Sequence, residues 1–256
     1  METHQLEAKL KSLRLSGMLA TLEARLAQAR GGELGHLEFL EVLLEDEISR
    51  REAKALAERL RRAHFESAVT LEEFDFTYNP QLPAPLIRDL AALRFIERGD
   101  SVLLYGPVGV GKTHVAQALG HAACRRGHSV LFMKTSRLLA ELAGGRADGT
   151  WEQRLRRLAR FDLLILDDFA LRTFSASQGD DFYELVSERA QHGSFILTAN
   201  RSPKDWYELF PNAVVAESVL DRLINSSFHV QMEGRSYRPK RRPGRGGELE
   251  KGGPNR

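Results

Sequence analysis

The segment Gly106–Thr113 has the composition of a loop that holds phosphate groups. Its glycines allow the backbone N–H groups to face phosphate oxygens, at the positive end of a following helix. The Lys112 ammonium can reach the β and γ oxygens, and the Thr113 hydroxyl can ligate Mg²⁺. A glycine-rich turn with an incidental lysine is the other interpretation, but the apolar run before the segment and the helical pattern after it disfavour that reading. The predicted nucleotide-binding residues are Gly106, Pro107, Val108, Gly109, Val110, Gly111, Lys112, Thr113 and His114.

Two carboxylates follow the apolar run Leu163–Leu166. A buried strand that ends in this way places them at the carboxyl edge of a sheet, beside the phosphate loop. We expect Asp167 to hold Mg²⁺, directly or through water, and Asp168 to orient or deprotonate the attacking water. Glutamate is usual at the second position, and the shorter aspartate predicts slow hydrolysis without loss of binding. The alternative is a pair of aspartates that only cap a loop.

Two further polar positions could complete the chemistry. The run Phe195–Asn200 ends at the same predicted edge, where Thr198 or Asn200 could position the water, although a plain strand terminus has the same pattern. Arg222 lies in a helical context, and an arginine that a neighbouring subunit supplies to a γ-phosphate raises the rate by orders of magnitude. The alternative for Arg222 is a surface pair with Asp221, which would contribute little.

Short apolar runs alternate with helical patterns from Leu86 onward. This alternation predicts an α/β fold with a mostly parallel sheet flanked by helices. The predicted strands are Ser101–Tyr105, Ser129–Met133, Leu163–Leu166, Ser194–Thr198 and Phe228–Met232.

Before that region, leucines recur at helical spacing. Gly31-Gly32 interrupts the pattern, and a second helix is predicted from His36 to about Phe65. This small helical module is either a packed appendage or a binding module for DNA or a partner. The arginines at 59, 61 and 62 are the local support for the second reading.

The segment between these two regions has a different residue pattern. Leu71–Phe76 alternates like a short strand, and prolines at 80, 83 and 85 mark a connector. We therefore predict a helical N-terminal domain over 1–68, a linker over 69–85, an ATPase domain over 86–238 and a disordered basic tail over 239–256.

Composition fits an ordinary globular protein. The 256 residues are 42% hydrophobic and 28% charged, with a net charge of +2. The single cysteine excludes an internal disulfide framework. Because no signal-peptide core or membrane span is evident, we expect a cytoplasmic protein. Residues 235–256 carry eight Lys/Arg against two Glu, an excess that favours a polyanionic partner.

Taken together, these motifs resemble the IstB-like proteins. That family comprises AAA+ ATPases that assist insertion-sequence transposition, and it is related to the helicase loader DnaC. The resemblance covers about residues 10–238. The segments that carry it, besides the phosphate loop, are Leu13–Leu19, Glu38–Glu47, Phe161–Asp168, Thr198–Arg201, Leu220–Leu223 and Gly234–Arg238.

The resemblance implies a P-loop AAA+ ATPase domain behind a helical N-terminal domain, with ATP and Mg²⁺ as cofactors. It places Arg222 as the finger that reaches a neighbour's nucleotide and Arg238 as a γ-phosphate contact in its own subunit. Phe74 and Phe76 would pass the adenine. Family members assemble on duplex DNA as ATP-dependent homo-oligomers and assist the transposase of the same element.

The expected DNA contacts are basic residues in three places. They are Lys134, Arg137, Arg154, Arg156, Arg157 and Arg160, followed by Lys240, Arg241 and Arg242 in the tail. Each could meet a phosphate, although a solvated helix face or a solubilising tail would look the same. A DnaC-like helicase loader is the second hypothesis. A small-metabolite kinase is the third, and it is disfavoured because the chain offers no arginine-rich lid.

Overall fold

The computed structural model describes residues 3–190 and 193–237. The chain divides into two compact units, Met1–Arg59 and Leu60–Arg256. No helix in the described ranges is long and apolar enough to cross a membrane. The predicted tail residues Lys240, Arg241 and Arg242, together with Arg238, lie outside the described residues.

The first unit is helical, as the leucine spacing predicts. It contains α1 (Thr3–Ser12), α2 (Ser16–Arg30) and most of α3 (His36–Ala63). Leu10, Leu22 and Leu43 form its small core. Buried Glu47 accepts hydrogen bonds from the N–H groups of Gly17 and Met18, at 2.6 and 3.4 Å. The carboxylate therefore caps the start of α2, where the helix dipole favours a negative charge.

The second unit is built on a parallel sheet of five described strands. Their order across the sheet is β2-β3-β4-β1-β5, and every neighbouring pair is parallel. The strands are β1 (Ser101–Tyr105), β2 (Val130–Lys134), β3 (Leu163–Phe169), β4 (Ser194–Ala199) and β5 (Ser227–Gln231). Each coincides within a few residues with a predicted apolar run, so the predicted sheet is confirmed.

Seven described helices of this unit precede or connect these strands. They are α4 (Ala84–Leu90), α5 (Arg94–Arg98), α6 (Lys112–Arg125), α7 (Thr135–Asp148), α8 (Trp151–Ala159), α9 (Ala176–Arg189) and α10 (Ala213–Asn225). The central strands are buried almost throughout, which explains why they read as continuous apolar runs. Because the strands are parallel, β1, β3 and β4 all end at one edge of the sheet.

The predicted strand at Leu71–Phe76 is wrong. This segment turns instead, because the Asp75 carboxylate accepts hydrogen bonds from the backbone N–H groups of Thr77 and Tyr78, at 3.1 and 3.2 Å. An aspartate that bonds its own downstream backbone competes with strand pairing. Pro83 directly precedes α4 and Pro85 lies in its first turn, where proline is tolerated, so this helix begins inside the predicted linker.

Candidate nucleotide site

The phosphate loop joins β1 to α6 and has the backbone shape that the sequence predicts. Gly106, Gly109 and Gly111 have φ values of +143°, +86° and +104°. Only glycine adopts such angles readily, so the loop can wrap without a steric cost. The first N–H groups of α6, which begins at Lys112, border this loop. This is the arrangement in which a helix N-terminus binds an anion.

The Lys112 ammonium closes the loop on itself. Its Nζ donates to the carbonyl oxygens of Gly106 and Pro107, at 2.8 and 2.7 Å, and the side chain is buried. A triphosphate that enters the loop offers this ammonium charged oxygens, which make stronger hydrogen bonds than neutral carbonyls. The lysine is therefore held at the site where a phosphate would compete for it.

One carboxylate oxygen of Asp167 links three elements. Oδ1 accepts from the Thr113 hydroxyl at 2.8 Å and from the Thr198 hydroxyl at 2.6 Å. Burial raises the pKa of Asp167, while the hydrogen bonds from Thr198 and Thr113 oppose that rise. The network joins the start of α6 to the ends of β3 and β4.

The donors here suit Mg²⁺, which prefers oxygen ligands and usually takes one or two carboxylates together with substrate phosphates and water. Thr113 and Asp167 offer a hydroxyl and a carboxylate that already meet. Within the described residues, no group of three or more His, Cys, Asp or Glu could hold a metal. A metal at this site would therefore need phosphate oxygens to complete its coordination.

Asp168 lies in an irregular part of β3. Its φ is +57°, and the register between β3 and β4 shifts between Leu166 and Phe169. Its backbone N–H donates to the Thr198 hydroxyl at 3.1 Å. Bulges of this kind change the direction of a side chain beside active sites, and the Asp168 side chain is only partly buried. Asn200 is exposed, one residue after β4 ends.

A segment that we call the C-terminal strap, Gly234–Tyr237, lies across the phosphate loop. The N–H of Tyr237 donates to the carbonyl of Gly109 at 2.9 Å. Buried Asn79 holds the strap by donating to the carbonyl of Arg235 and accepting from its N–H, both at 2.9 Å. Tyr78 donates to the carbonyl of Ser236 at 3.1 Å. Sequence reasoning missed both Tyr78 and Asn79.

The two predicted adenine-side aromatics pack next to the loop. The Phe74 ring lies beside Gly111, where a side chain larger than hydrogen would collide with it. It also lies 5.3 Å from the His114 ring and 4.8 Å from the Phe76 ring, measured between centroids. The predicted residues Phe74, Phe76 and His114 thus form one aromatic cluster at the start of α6.

Comparison with known proteins identifies the family of this chain. A family model described as IstB-like ATP binding protein matches residues 8–244. An ATP-binding protein of an insertion sequence in Mycobacterium tuberculosis is 63% identical over 92% of this chain and 94% of its own length. The ATP-binding protein of insertion sequence IS21 from Pseudomonas aeruginosa is 38% identical over 93% and 89%. The chain belongs to the IstB-like ATP-binding protein family.

Solved structures confirm the fold of this IstB-like protein. The AMPPCP-bound DnaA from Aquifex aeolicus matches with a TM-score of 0.56 and 22% identity, over 66% of this chain and 51% of DnaA. The DnaC helicase loader matches with a TM-score of 0.51 and 22% identity, over 58% and 87%. The IstB-like chain therefore has the P-loop AAA+ fold that the sequence predicts.

Arg222, the predicted arginine finger, contacts α9 of its own subunit and not the phosphate loop. Arg222 on α10 donates to the Ser187 hydroxyl, and its guanidinium lies 5.4 Å from the centroid of the Tyr183 ring, both on α9. Its side chain is exposed. The hydrogen-bonded network of Thr113, Asp167 and Thr198 does not include it.

The basic residues of the IstB-like protein differ in how they are held. Arg154 donates to the Thr150 hydroxyl and to the Glu141 carbonyl, both at 2.8 Å, so it ties α7 to α8. Lys134 lies 3.8 Å from the Glu66 carboxylate. Arg137 and Arg157 are exposed.

Proposed function

We propose that this IstB-like protein is a Mg²⁺-dependent ATPase that assembles on duplex DNA as an ATP-dependent homo-oligomer. It acts in the cytoplasm and assists the transposase of its insertion sequence. The observation that carries the ATPase proposal is the shared oxygen of Asp167. That oxygen brings the Thr113 and Thr198 hydroxyls together beside the loop that contains Lys112.

Each residue has a defined task in this proposal. Lys112 leaves its carbonyl partners and binds the β and γ phosphates. Thr113 and Asp167 would hold Mg²⁺, which would neutralise charge on the phosphate oxygens. Asp168 accepts a proton from the attacking water, and Asn200 orients that water. Arg222 of a neighbouring subunit approaches the γ-phosphate, while Arg238 contacts it from its own chain.

The DNA and transposase roles draw support from the relatives. Several of them are ATP-binding proteins of insertion sequences. A matched structure with a TM-score of 0.56 is the replication initiator DnaA bound to AMPPCP and single-stranded DNA. Arg137 and Arg157 offer exposed positive charge for phosphate contacts, as do the tail residues Lys240, Arg241 and Arg242.

A helicase loader is the second candidate, because the fold also matches DnaC. Pull-down experiments with the host replicative helicase and with the transposase separate the two functions. If the protein retains the helicase but not the transposase, the helicase-loader function is favoured.

The deciding experiment measures the size of the full chain with ATP, ADP or no nucleotide, each with and without duplex DNA. We expect large assemblies only with ATP and DNA together. Lys112→Ala should remain small under every condition, because the phosphates lose their charged partner. Arg98→Ala, which removes an exposed charge on α5, is the matched control and should assemble normally. Assembly of Lys112→Ala at the wild-type ATP concentration would contradict the proposal.

A further inference from the structure

A basic pocket lies beside β2, the strand at one edge of the sheet. Its volume is about 290 Å³. The floor is formed by β2, and the charged residues of its walls are Arg61, Arg62, Arg137, Arg157 and Glu141. All of them belong to the second compact unit. The arginines come from the last turn of α3, the first turn of α7 and the last turn of α8.

The charged side chains that line this basic pocket are mostly positive. They are four arginines and the carboxylate of Glu141, which is paired with Arg157. Arg61 and Arg62 lie in the last turn of α3 and Arg157 in the last turn of α8, where the helix dipole favours cations. Arg137 lies in the first turn of α7, where the dipole disfavours a cation. Helix stability therefore explains three of these arginines but not the position of Arg137.

The size of the basic pocket limits its ligand. A volume of about 290 Å³ is at the low end of the range of small-molecule pockets, roughly 300–1,000 Å³. Guanidinium groups bind phosphate oxygens through two parallel hydrogen bonds. This chemistry suits a single phosphate of a longer chain. Arg157 also lines a wider open groove with Arg156 and Arg160, on the other flank of α8.

We propose that the basic pocket binds the phosphodiester backbone of duplex DNA, with one phosphate seated in the pocket and the strand continuing across α8. The proposal rests on the proposed DNA-binding function. It adds Arg61 and Arg62 to the contact surface and assigns Glu141 as the residue that limits affinity. Because the contacts are to phosphates, binding here does not depend on base sequence.

The test measures binding of a fluorescein-labelled 40-base-pair duplex by anisotropy, with ATP and Mg²⁺ present, across a range of NaCl concentrations. In the double variant Arg62→Gln/Arg137→Gln, we expect affinity at about 0.1 M salt to fall on the order of tenfold per arginine. The slope of log K against log salt should decrease by about two. The matched control is Arg98→Gln/Arg125→Gln, which removes two exposed arginines outside the pocket. It should keep most of the wild-type affinity and slope.

Glu141→Gln provides a second, opposite test. It removes the only carboxylate lining the described pocket and releases Arg157. We expect it to bind DNA several-fold more tightly than wild type, a result that partial unfolding would not produce. Equal DNA binding by wild type and all the pocket variants would overturn the basic-pocket assignment alone and point to an acidic protein partner. Failure of the wild-type chain itself to bind the duplex would overturn the proposed function as well.

Discussion

At the residue scale, folding and Mg²⁺ binding favour opposite protonation states of the Asp167 carboxyl. The folded chain buries this carboxyl, which favours its neutral form and raises its pKa. A Mg²⁺ ligand must be ionised. The hydroxyls of Thr113 and Thr198 reduce the conflict, because both donate to the charged oxygen. The site is thus prepared for a cation before one binds.

Replacing Asp167 with Asn tests this conflict. The amide oxygen can still accept from both threonines, and the buried charge is gone, so the variant should unfold at pH 7 no more easily than wild type. Mg²⁺-dependent ATP binding should be lost. Thermal denaturation and titration calorimetry measure the two effects. Asp89→Asn, at an exposed carboxylate on α4, is the control for loss of a charge. A clearly lower melting temperature for Asp167→Asn would contradict the account.

The raised pKa also predicts a pH dependence. The folded-state pKa of Asp167 is above its unfolded value. The stability that this group contributes is therefore greatest at low pH and is lost as the pH rises through the folded pKa. Mg²⁺-dependent ATP binding has the opposite trend, since it strengthens as the carboxyl ionises. The difference in Mg²⁺-ATP affinity between wild type and Asp167→Asn should consequently shrink as the pH falls. A constant difference would contradict the prediction.

Asp168 has its own test because of its left-handed backbone. Asp168→Asn keeps side-chain length and tolerance of positive φ, but it cannot accept the water's proton. We expect unchanged ATP affinity and stability, with ATP turnover in the DNA-bound assembly reduced on the order of a hundredfold. Asp168→Ala should lose the same turnover and also about 1–2 kcal/mol of stability, because alanine is strained at this φ. Turnover near the wild-type rate in both variants would exclude Asp168 as the base.

At the scale of elements, Asn79 links the C-terminal strap to a segment that precedes the sheet. Asn79 makes reciprocal hydrogen bonds with the backbone of Arg235, and the N–H of Tyr237 donates to the carbonyl of Gly109 in the phosphate loop. The strap that Asn79 holds is therefore in direct contact with the phosphate loop.

Asn79→Ala should loosen the C-terminal strap. It leaves an N–H and a carbonyl of Arg235 without their partner, at a cost of about 1–3 kcal/mol in the free energy of unfolding. We expect weaker ATP binding, since the loop loses a neighbour that supports its shape. Asn79→Asp keeps the acceptor for the Arg235 N–H and should lie between alanine and wild type. Urea unfolding and ATP titration provide the readouts. An ATP affinity equal to wild type in Asn79→Ala would disconnect the strap from the site.

Local patterns predict the sheet well and long-range contacts poorly. The strands from β1 to β5 follow from apolar runs, because burial on both faces leaves a continuous signal. The loop glycines are likewise readable, since their spacing serves one backbone shape. Asn79 and Arg235 are far apart in the chain, so no local sequence pattern predicts their hydrogen bonds. The left-handed backbone of Asp168 depends on the register shift between β3 and β4, which sequence periodicity does not reveal.

The buried Arg189 is a further example. It is fully buried and donates to the carbonyls of Leu158, Phe161 and Ser194, and thus joins the end of α8 to the start of β4. In sequence it reads as an ordinary cation in the last turn of α9. Burial lowers its pKa to about 10. Its role follows from the tertiary structure alone.

At the scale of the whole molecule, Arg222 tests whether subunits complete each other's sites. Within its own chain, Arg222 contacts Ser187 and Tyr183 on α9. Arg222→Ala should therefore leave ATP affinity of the isolated chain near wild type. In the DNA-bound assembly, turnover should fall on the order of a thousandfold. Arg222→Lys retains the charge without the planar fork and should recover only part of the rate.

Mixing Arg222→Ala with Asp168→Asn provides the strictest control for this prediction. A chain without the finger can still accept one from its neighbour, whereas a chain without the Asp168 carboxylate still binds ATP and can donate its own Arg222. Mixed assemblies should regain part of the turnover that neither variant has alone. Full turnover by Arg222→Ala alone would show that Arg222 is only a surface residue of α10 that packs against α9.

The position of β1 in the sheet has a consequence for synthesis of the chain. β1 leads directly into the phosphate loop, yet its neighbours are β4 and β5, and Ser101 pairs with Ser227. Both partners emerge from the ribosome long after the loop itself has been made. We therefore expect the nascent chain to hold the loop in its final shape only after β5 has been translated. Nascent chains that stop before β5 should not bind ATP.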